Sequence, residues 1–340
     1  MRFLIIGLGS MGKRRVRNLL ANGIKKEDIA GFDIREDRLN EAKKYDINLY
    51  NDFIKAFDSF KPDVFIISTP PNLHMKYAYF AYEHNIDAFI EASVVDAQKI
   101  LELSKKIKDK KIVIVPSCTM KYNFAPKKIK ELIKSNKIGK VLNFNYFTGQ
   151  YLPDWHPWED IKDFYVSNPD TGGCREIVPF ELTWINDIFG DAKPLACVRR
   201  KLTDINADIE DIYHCLLEYP NNILANITVE VISRPKATRV IRILGSEGEI
   251  FFNADDNVLK YINIHMDDWE SISFERGTIE KGYINPEEPY IEEMRDFITA
   301  VKNKESTLNS FPNTLEDDYK ILQTLYKLED ISEGRDDLSR

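Results

Sequence analysis

The sequence of 340 residues predicts an α/β protein whose front part is a doubly wound parallel sheet, followed by a second α/β domain with an open antiparallel sheet. Three observations carry this. An apolar stretch over residues 2–6 ends in glycines spaced G-x-G-x-x-G at Gly7, Gly9 and Gly12, and a helical pattern through Val16, Leu19 and Leu20 follows directly. Strand-length apolar runs then alternate with helical stretches to about residue 120, the order that produces right-handed crossovers and a parallel sheet. From residue 195 to 274 apolar and polar residues alternate instead, as antiparallel strands with one wet face do.

The glycines come first because everything in the front part depends on them. Gly7 allows a tight turn, Gly9 lets backbone approach a diphosphate, and Gly12 lets the helix pack closely on the strand. The free N–H groups and positive dipole end of that helix are then available to the anion, beside Ser10 and Met11. A second apolar strand, 29–32, ends in Asp33, about 20 residues on, where such folds place the acid that holds ribose hydroxyls. A carboxylate there favours NAD and repels a 2′-phosphate. Arg35, two residues further and beyond Ile34, could offset that repulsion, so NADP is the alternative.

Further elements follow in order. A helix over 36–45, a short strand over 47–50 and a helix over 52–60 lead to the run 63–68, whose continuous apolar character marks a strand buried on both faces. It stops at Thr69-Pro70-Pro71-Asn72-Leu73-His74, and a helix extends from there to about residue 83. A fifth strand, 86–90, ends in Glu91-Ala92-Ser93. Helix 97–107 and strand 112–115 complete the series, so Gly7, Asp33, Thr69, Glu91 and Pro116 are expected along one ligand-binding edge. The pattern changes after residue 120: helix 125–136, strand 140–149, then a loop over 151–171 rich in aromatic and charged groups. A helix over 179–188, with Pro179 in its first turn, precedes the alternating region. Gly245-Ser246-Glu247-Gly248 reads as a turn within it, and amphipathic stretches 290–301 and 315–328 close the chain and pack back toward the first domain. A boundary near residue 120 therefore separates a domain over 1–120 from one over 121–340.

Composition narrows the partners. Forty-seven basic against 55 acidic residues give a net charge of −8, which offers no general attraction to nucleic acid or to an anionic membrane. Cys118, Cys174, Cys197 and Cys215 are scattered without a C-x-x-C pair, as expected of reduced thiols and not of a metal site. With no signal-peptide pattern and no apolar run of about 18 residues, the expectation is a soluble cytoplasmic protein.

These motifs together resemble the glucose-fructose oxidoreductase, inositol dehydrogenase and rhizopine-catabolism family, Gfo/Idh/MocA. The resemblance spans nearly the whole chain. It rests on Gly7 to Gly12 with Arg15 after them, residues 69–74, the Glu91 turn, Gly172-Gly173 before a helix, and the Gly245 to Gly248 turn. Residues 151–157 look like the branch found beside genes for sugar nucleotides and surface sugars. The resemblance implies a Rossmann domain, an α/β domain carrying the substrate site on one face of its sheet, and often an oligomer contact on the other, as a homodimer or homotetramer. It also implies hydride transfer between NAD(P) and a sugar-like hydroxyl or ketone. Cofactor contacts then fall on Gly7, Gly9, Ser10, Met11, Gly12, Asp33, Ile34, Arg35, Thr69, Pro70, Asn72, His74, Glu91 and Ala92.

Two departures from the family stand out. Members generally end the fifth strand in Glu-Lys-Pro, whose lysine serves as proton donor or acceptor, and this chain has Glu91-Ala92-Ser93. A second signature, Asp and four residues later His, aligns with Glu176 and Phe180. Oxidising an alcohol needs a base, and a positioned acid–base group is worth about 10² to 10⁴ in rate. Lys121, Glu176 and Glu181 are the candidate replacements, and Tyr151, Asp154, Trp155, His156 and Tyr165 from the variable loop are the candidate substrate contacts. A sensor that binds dinucleotide and sugar without turnover, or an epimerase or eliminase with a resident cofactor, are the competing expectations.

Overall fold

The computed structural model describes residues 1–155, 159–163, 165–304 and 310–334. Strands β1 (Phe3–Ile6), β2 (Ile29–Phe32), β3 (Asn48–Tyr50), β4 (Val64–Ile67), β5 (Asp87–Ile90) and β6 (Ile114–Pro116) pair in the order β3-β2-β1-β4-β5-β6, every pair parallel. Their apolar runs are explained by position: all residues of β1, β2, β4 and β5 are buried, because α1 (Ser10–Ala21), α2 (Glu36–Ala42), α3 (Phe53–Phe60), α4 (His74–Glu83) and α5 (Ala97–Lys106) serve as the crossovers between them. Strand order reverses at β1, so the crevice outside the carboxyl ends of β1 and β4 is the topological switch point.

The second sheet contains β7 (Val141–Gly149), β8 (Lys193–Arg200), β9 (Ile212–Tyr219), β10 (Ile223–Glu230), β11 (Thr238–Gly245), β12 (Gly248–Asn253), β13 (Val258–Asn263) and β14 (Glu270–Ser273), in the order β14-β13-β12-β11-β7-β10-β9-β8. It is mixed rather than wholly antiparallel, since β7 and β10 run parallel and pair from Asn143 with Leu224 to Gly149 with Glu230. A parallel pair cannot be closed by a hairpin. The chain between them instead holds residues 151–171, the helix α7 (Cys174–Phe189) and the β8–β9 ribbon. Alternation along β9 buries Tyr213, Cys215, Leu217 and Tyr219 on one face and leaves His214 and Leu216 on the other.

The chain forms two compact units, Met1–Thr119 with Asn285–Tyr319, and Met120–Ile284 with the chain from Lys320 onward. Helix α8 (Glu288–Asn303) thus belongs with the parallel sheet, where Arg14 Nε on α1 donates to Glu287 Oε1 at 3.0 Å. The second unit also contains α6 (Phe124–Lys134) and most of α9 (Leu315–Ser332). Helix α7 begins five residues earlier than the sequence pattern suggests. Gly173, at φ +63°, sets its start, so Pro179 lies inside the helix and not in its first turn.

Candidate active site

In the first unit the glycine turn is sterically determined. Gly7 has φ +94°, which glycine adopts without strain, and a Cβ on Gly12 would stand 1.8 Å from the Gly7 carbonyl oxygen. Ser10 and Met11 form the first turn of α1, which contains no acidic residue. At the exit of β2, buried Asp33 accepts the Leu8 N–H on Oδ2 at 2.7 Å and the Arg35 N–H on Oδ1 at 2.9 Å. Both oxygens are fixed, and each keeps a lone pair for a hydroxyl. Ile34 beside it is 82% exposed.

Arg35 turns away from this position. Its Nε and Nη2 donate to Asp37 Oδ1 and Oδ2 at 3.1 and 2.6 Å, and these bonds hold the Asp37 carboxyl below its ordinary value. The expectation that Arg35 offsets the charge of Asp33 therefore gives way to a local fork within one helical turn. Arg38, which sequence reasoning passed over, lies across the glycine turn instead, with Nη1 2.7 Å from where a Cβ on Gly9 would stand. The signal was available, since Arg35 has an acid two residues on to satisfy it and Arg38 is one helical turn further.

At the exit of β4, Thr69 Oγ1 is buried and has no hydrogen-bond partner among the described residues, while Pro70 and Asn72 are exposed. His74 opens α4, buried, with Nε2 2.9 Å from the Thr69 carbonyl oxygen, and burial pushes it down to about 4, so it is neutral. At the exit of β5, half-buried Glu91 is paired within the first unit. Arg15 grips it with Nε on Oε1 at 2.6 Å and Nη2 on Oε2 at 2.9 Å, and Ser68 Oγ adds a bond to Oε1 at 3.3 Å. The other face of Arg15 is held by Glu293, whose Oε2 accepts from Nη1 at 2.9 Å. Ala92 follows Glu91, half-buried, with only a methyl group.

In the second unit, loop and helix meet because of two glycines. A Cβ on Gly172 would overlap the Val166 carbonyl oxygen at 1.8 Å, so only glycine lets residues 165–167 close on the start of α7. Tyr165 then donates its hydroxyl to Glu176 Oε1 at 2.7 Å. Glu176 Oε2 is buried without a partner among the described residues, and burial raises the carboxyl to about 7 although the Tyr165 bond works the other way. One turn later the situation is reversed. Glu181 accepts from Arg239 Nη2 on Oε1 and from Trp184 Nε1 on Oε2, both at 2.7 Å, and Arg239 Nε also donates to the Tyr146 hydroxyl at 2.9 Å. Phe180, half-buried between the two carboxylates in sequence, carries no ionisable group.

Lys121 lies 3.8 Å from Asp187 Oδ1, and Lys130 pairs with the same carboxylate. Tyr151 bridges to Ile232, and the Arg234 guanidinium stacks 3.8 Å above its ring. Asp154 is exposed. Trp155 Nε1 is buried with no partner among the described residues. His156 lies outside the described residues.

The donor set of the first unit fits a dinucleotide: a glycine turn at a helix start, an acid with lone pairs to spare, and an unmatched threonine hydroxyl at the switch point. Comparison with known proteins agrees. Residues 1–115 match the model for an oxidoreductase family with an NAD-binding Rossmann fold, and residues 127–251 match the Gfo/Idh/MocA C-terminal domain. The chain belongs to the Gfo/Idh/MocA oxidoreductase family. No curated protein matches it. Among solved structures it is similar to an oxidoreductase from Agrobacterium radiobacter in complex with NAD+, L-tartaric acid and magnesium, at 14% identity and TM-score 0.83 over 98% of this chain and 96% of that one. A levoglucosan dehydrogenase in complex with NADH and levoglucosan is 17% identical, with TM-score 0.82 over 99% and 98% of the two chains. An inositol dehydrogenase homolog with NAD+ from Azotobacter vinelandii is 13% identical, with TM-score 0.82 over 98% and 95%. At these identities the likeness is one of fold.

As a Gfo/Idh/MocA oxidoreductase, the chain has an NAD-binding Rossmann domain at its front. Gly7, Gly9, Gly12, Asp33 and Thr69 are the residues that would hold the dinucleotide, and they are brought to one sheet edge. Among the described residues no group of acids, histidines and cysteines is arranged to hold a metal ion, and no helix is long and apolar enough to cross a membrane.

Proposed function

We propose that this oxidoreductase moves hydride between NAD, or NADP, and a hydroxyl or ketone of a sugar, sugar acid or nucleotide-linked sugar, with Glu176 as its acid–base group. One observation carries the assignment: among the three candidate proton carriers, Glu176 has a buried carboxyl oxygen with no hydrogen-bond partner among the described residues. Glu181 has both oxygens bound, and Lys121 shares Asp187 with Lys130. A carboxyl at about 7 is divided between acid and base near neutrality, which is where a proton carrier works in both directions. Bound nicotinamide supplies or accepts the hydride. Tyr165 orients the carboxyl through Oε1 and leaves Oε2 to exchange a proton with the reacting hydroxyl.

Loop residues support a sugar-like ligand. Trp155 offers an N–H unmatched among the described residues, Tyr151 an aromatic face, and Arg234 a guanidinium already ordered on that face, a combination suited to hydroxyls and to an acidic substituent. The test is a panel of uronic acids and nucleotide sugars followed by nicotinamide absorbance. With any turned-over substrate, Glu176→Gln lowers kcat by about 10²-fold or more while NADH affinity is unchanged. Full activity in that variant removes Glu176 from the mechanism. Ligand binding without turnover across the panel identifies the sensor suggested by Ala92.

Outward residues Val198, Leu216, Leu224 and Leu244 of the second sheet are 50%, 49%, 51% and 36% exposed, an apolar face that supports a homodimer or homotetramer. Light scattering at micromolar concentration should give twice or four times the chain mass. A monomer mass rules this assembly out.

A further inference from the structure

We propose that Cys197 and Cys215 are an oxidisable dithiol that closes to a disulfide between β8 and β9 when the chain meets a peroxide. The two residues stand opposite each other in an antiparallel pairing that is regular from Cys197 with Cys215 to Arg200 with Ile212. Residues so opposed share a face of the sheet and have Cα atoms about 4.5–5.5 Å apart, inside the range of roughly 4.4–6.8 Å that a disulfide spans. Here it is the buried face, since both cysteines point inward while their neighbours Val198 and Leu216 are half exposed on the other side. The pair lies wholly within the second unit, and both residues are free thiols. Their sulfurs are in contact. The Cys215 thiol donates to the Cys197 sulfur, and this bond, helped by the Arg199 guanidinium, draws Cys197 below its ordinary value against the effect of burial. The same bond and burial push Cys215 well up.

This asymmetry gives the two sulfurs different roles. Cys197, on the edge strand β8 and 6% exposed, is the one a small peroxide reaches and the one that reacts as thiolate. It attacks one peroxide oxygen, the O–O bond breaks with loss of hydroxide, and Cys197 becomes a sulfenic acid. The Cys215 sulfur then attacks Cys197, the S–S bond forms, and the sulfenic oxygen leaves as water with the Cys215 proton. The two cysteines give up two electrons in all, and the peroxide is reduced by the same two. The other thiols stand apart from this exchange: Cys174 donates to the Val229 carbonyl oxygen at 3.4 Å, and Cys118 belongs to the first unit.

Peptide mapping of the full chain tests this. The reduced protein is treated with hydrogen peroxide, its remaining thiols are alkylated, and its unreduced peptides are weighed, with circular dichroism confirming that the treated chain is folded. The expected product joins the Cys197 and Cys215 peptides, weighs two hydrogens less than their sum and is released by dithiothreitol, while Cys118 and Cys174 are recovered alkylated. Cys215→Ala should abolish the link and leave Cys197 as a sulfenic acid that dimedone captures. Cys197→Ala should abolish the link and give no dimedone adduct on Cys215. Recovery of all four thiols alkylated would overturn the proposal, as would a link through Cys174, a link between two chains, or Cys197 found as sulfinic acid beside a free Cys215. Because the first measurement is made on the unaltered protein, a variant that fails to fold does not remove the test.

Discussion

Glu293 in the first unit and Glu176 in the second are both carboxylates removed from bulk water, yet their surroundings are opposite. Glu293 is fully buried and saturated, accepting from Arg15 Nη1 at 2.9 Å, Ser117 Oγ at 2.9 Å, the Cys118 N–H and Thr119 Oγ1 at 2.6 Å. Glu176 has one tyrosine hydroxyl and an oxygen unmatched among the described residues. A buried charge with every lone pair occupied is a structural joint; one left incomplete is held near its protonation boundary and is available for chemistry. Glu181, on the same helix as Glu176, falls on the Glu293 side of this division.

Breaking the saturated site gives the largest expected effect. Glu293→Ala strips one partner from fully buried Arg15 and removes the acceptor shared by Ser117, Thr119 and the Cys118 N–H, so a loss of about 3–5 kcal/mol is expected in urea unfolding. A loss under about 1 kcal/mol would show that Glu91 alone satisfies the guanidinium, and the contrast with Glu176 would fail.

A smaller effect sharpens the other half. The folded carboxyl of Glu176 lies at about 7, above its ordinary value of 4.5, so the folded chain keeps a proton that the unfolded chain releases. Its contribution to stability is therefore fully present below pH 4.5 and is lost as pH rises through about 7. Glu176→Gln should flatten the fall in thermal midpoint between those values relative to the unaltered chain. His74, held at about 4, acts with the opposite sign: its burial costs stability as pH falls below the ordinary 6.5 toward 4. The difference between variant and parent removes that common background. Parallel pH curves for the two would show that Glu176 is not the group holding the proton.

The legible and illegible parts of the sequence divide along the same physical line. β1, β2, β4 and β5 were readable because strands buried on both faces can hardly be anything but apolar, and Gly7 and Gly12 because no other residue fits the turn they make. The parallel pairing of β7 with β10 was not, since pairing direction depends on partners about 80 residues apart. Glu181 and Glu176 look equivalent in sequence. What separates them is Arg239, 58 positions from Glu181, and the closure of Gly172 on Val166. Arg35 reads as a cofactor residue because it is near Asp33, but proximity along the chain also put it within reach of Asp37.

The parallel pair has a consequence for how such a scaffold changes its ligand. Because β7 is flanked by β11 and β10, the segment after Gly149 departs from an interior strand and must travel before the chain can rejoin the sheet at β10. Lengthening that excursion costs only about 0.6 kcal/mol per doubling and leaves every ladder bond in place. Insertions or grafts after Leu152, beyond the last bonds to residues 230–233, should accordingly be the route by which new chemistry enters this architecture, with the hydrogen-bonded frame inherited unaltered.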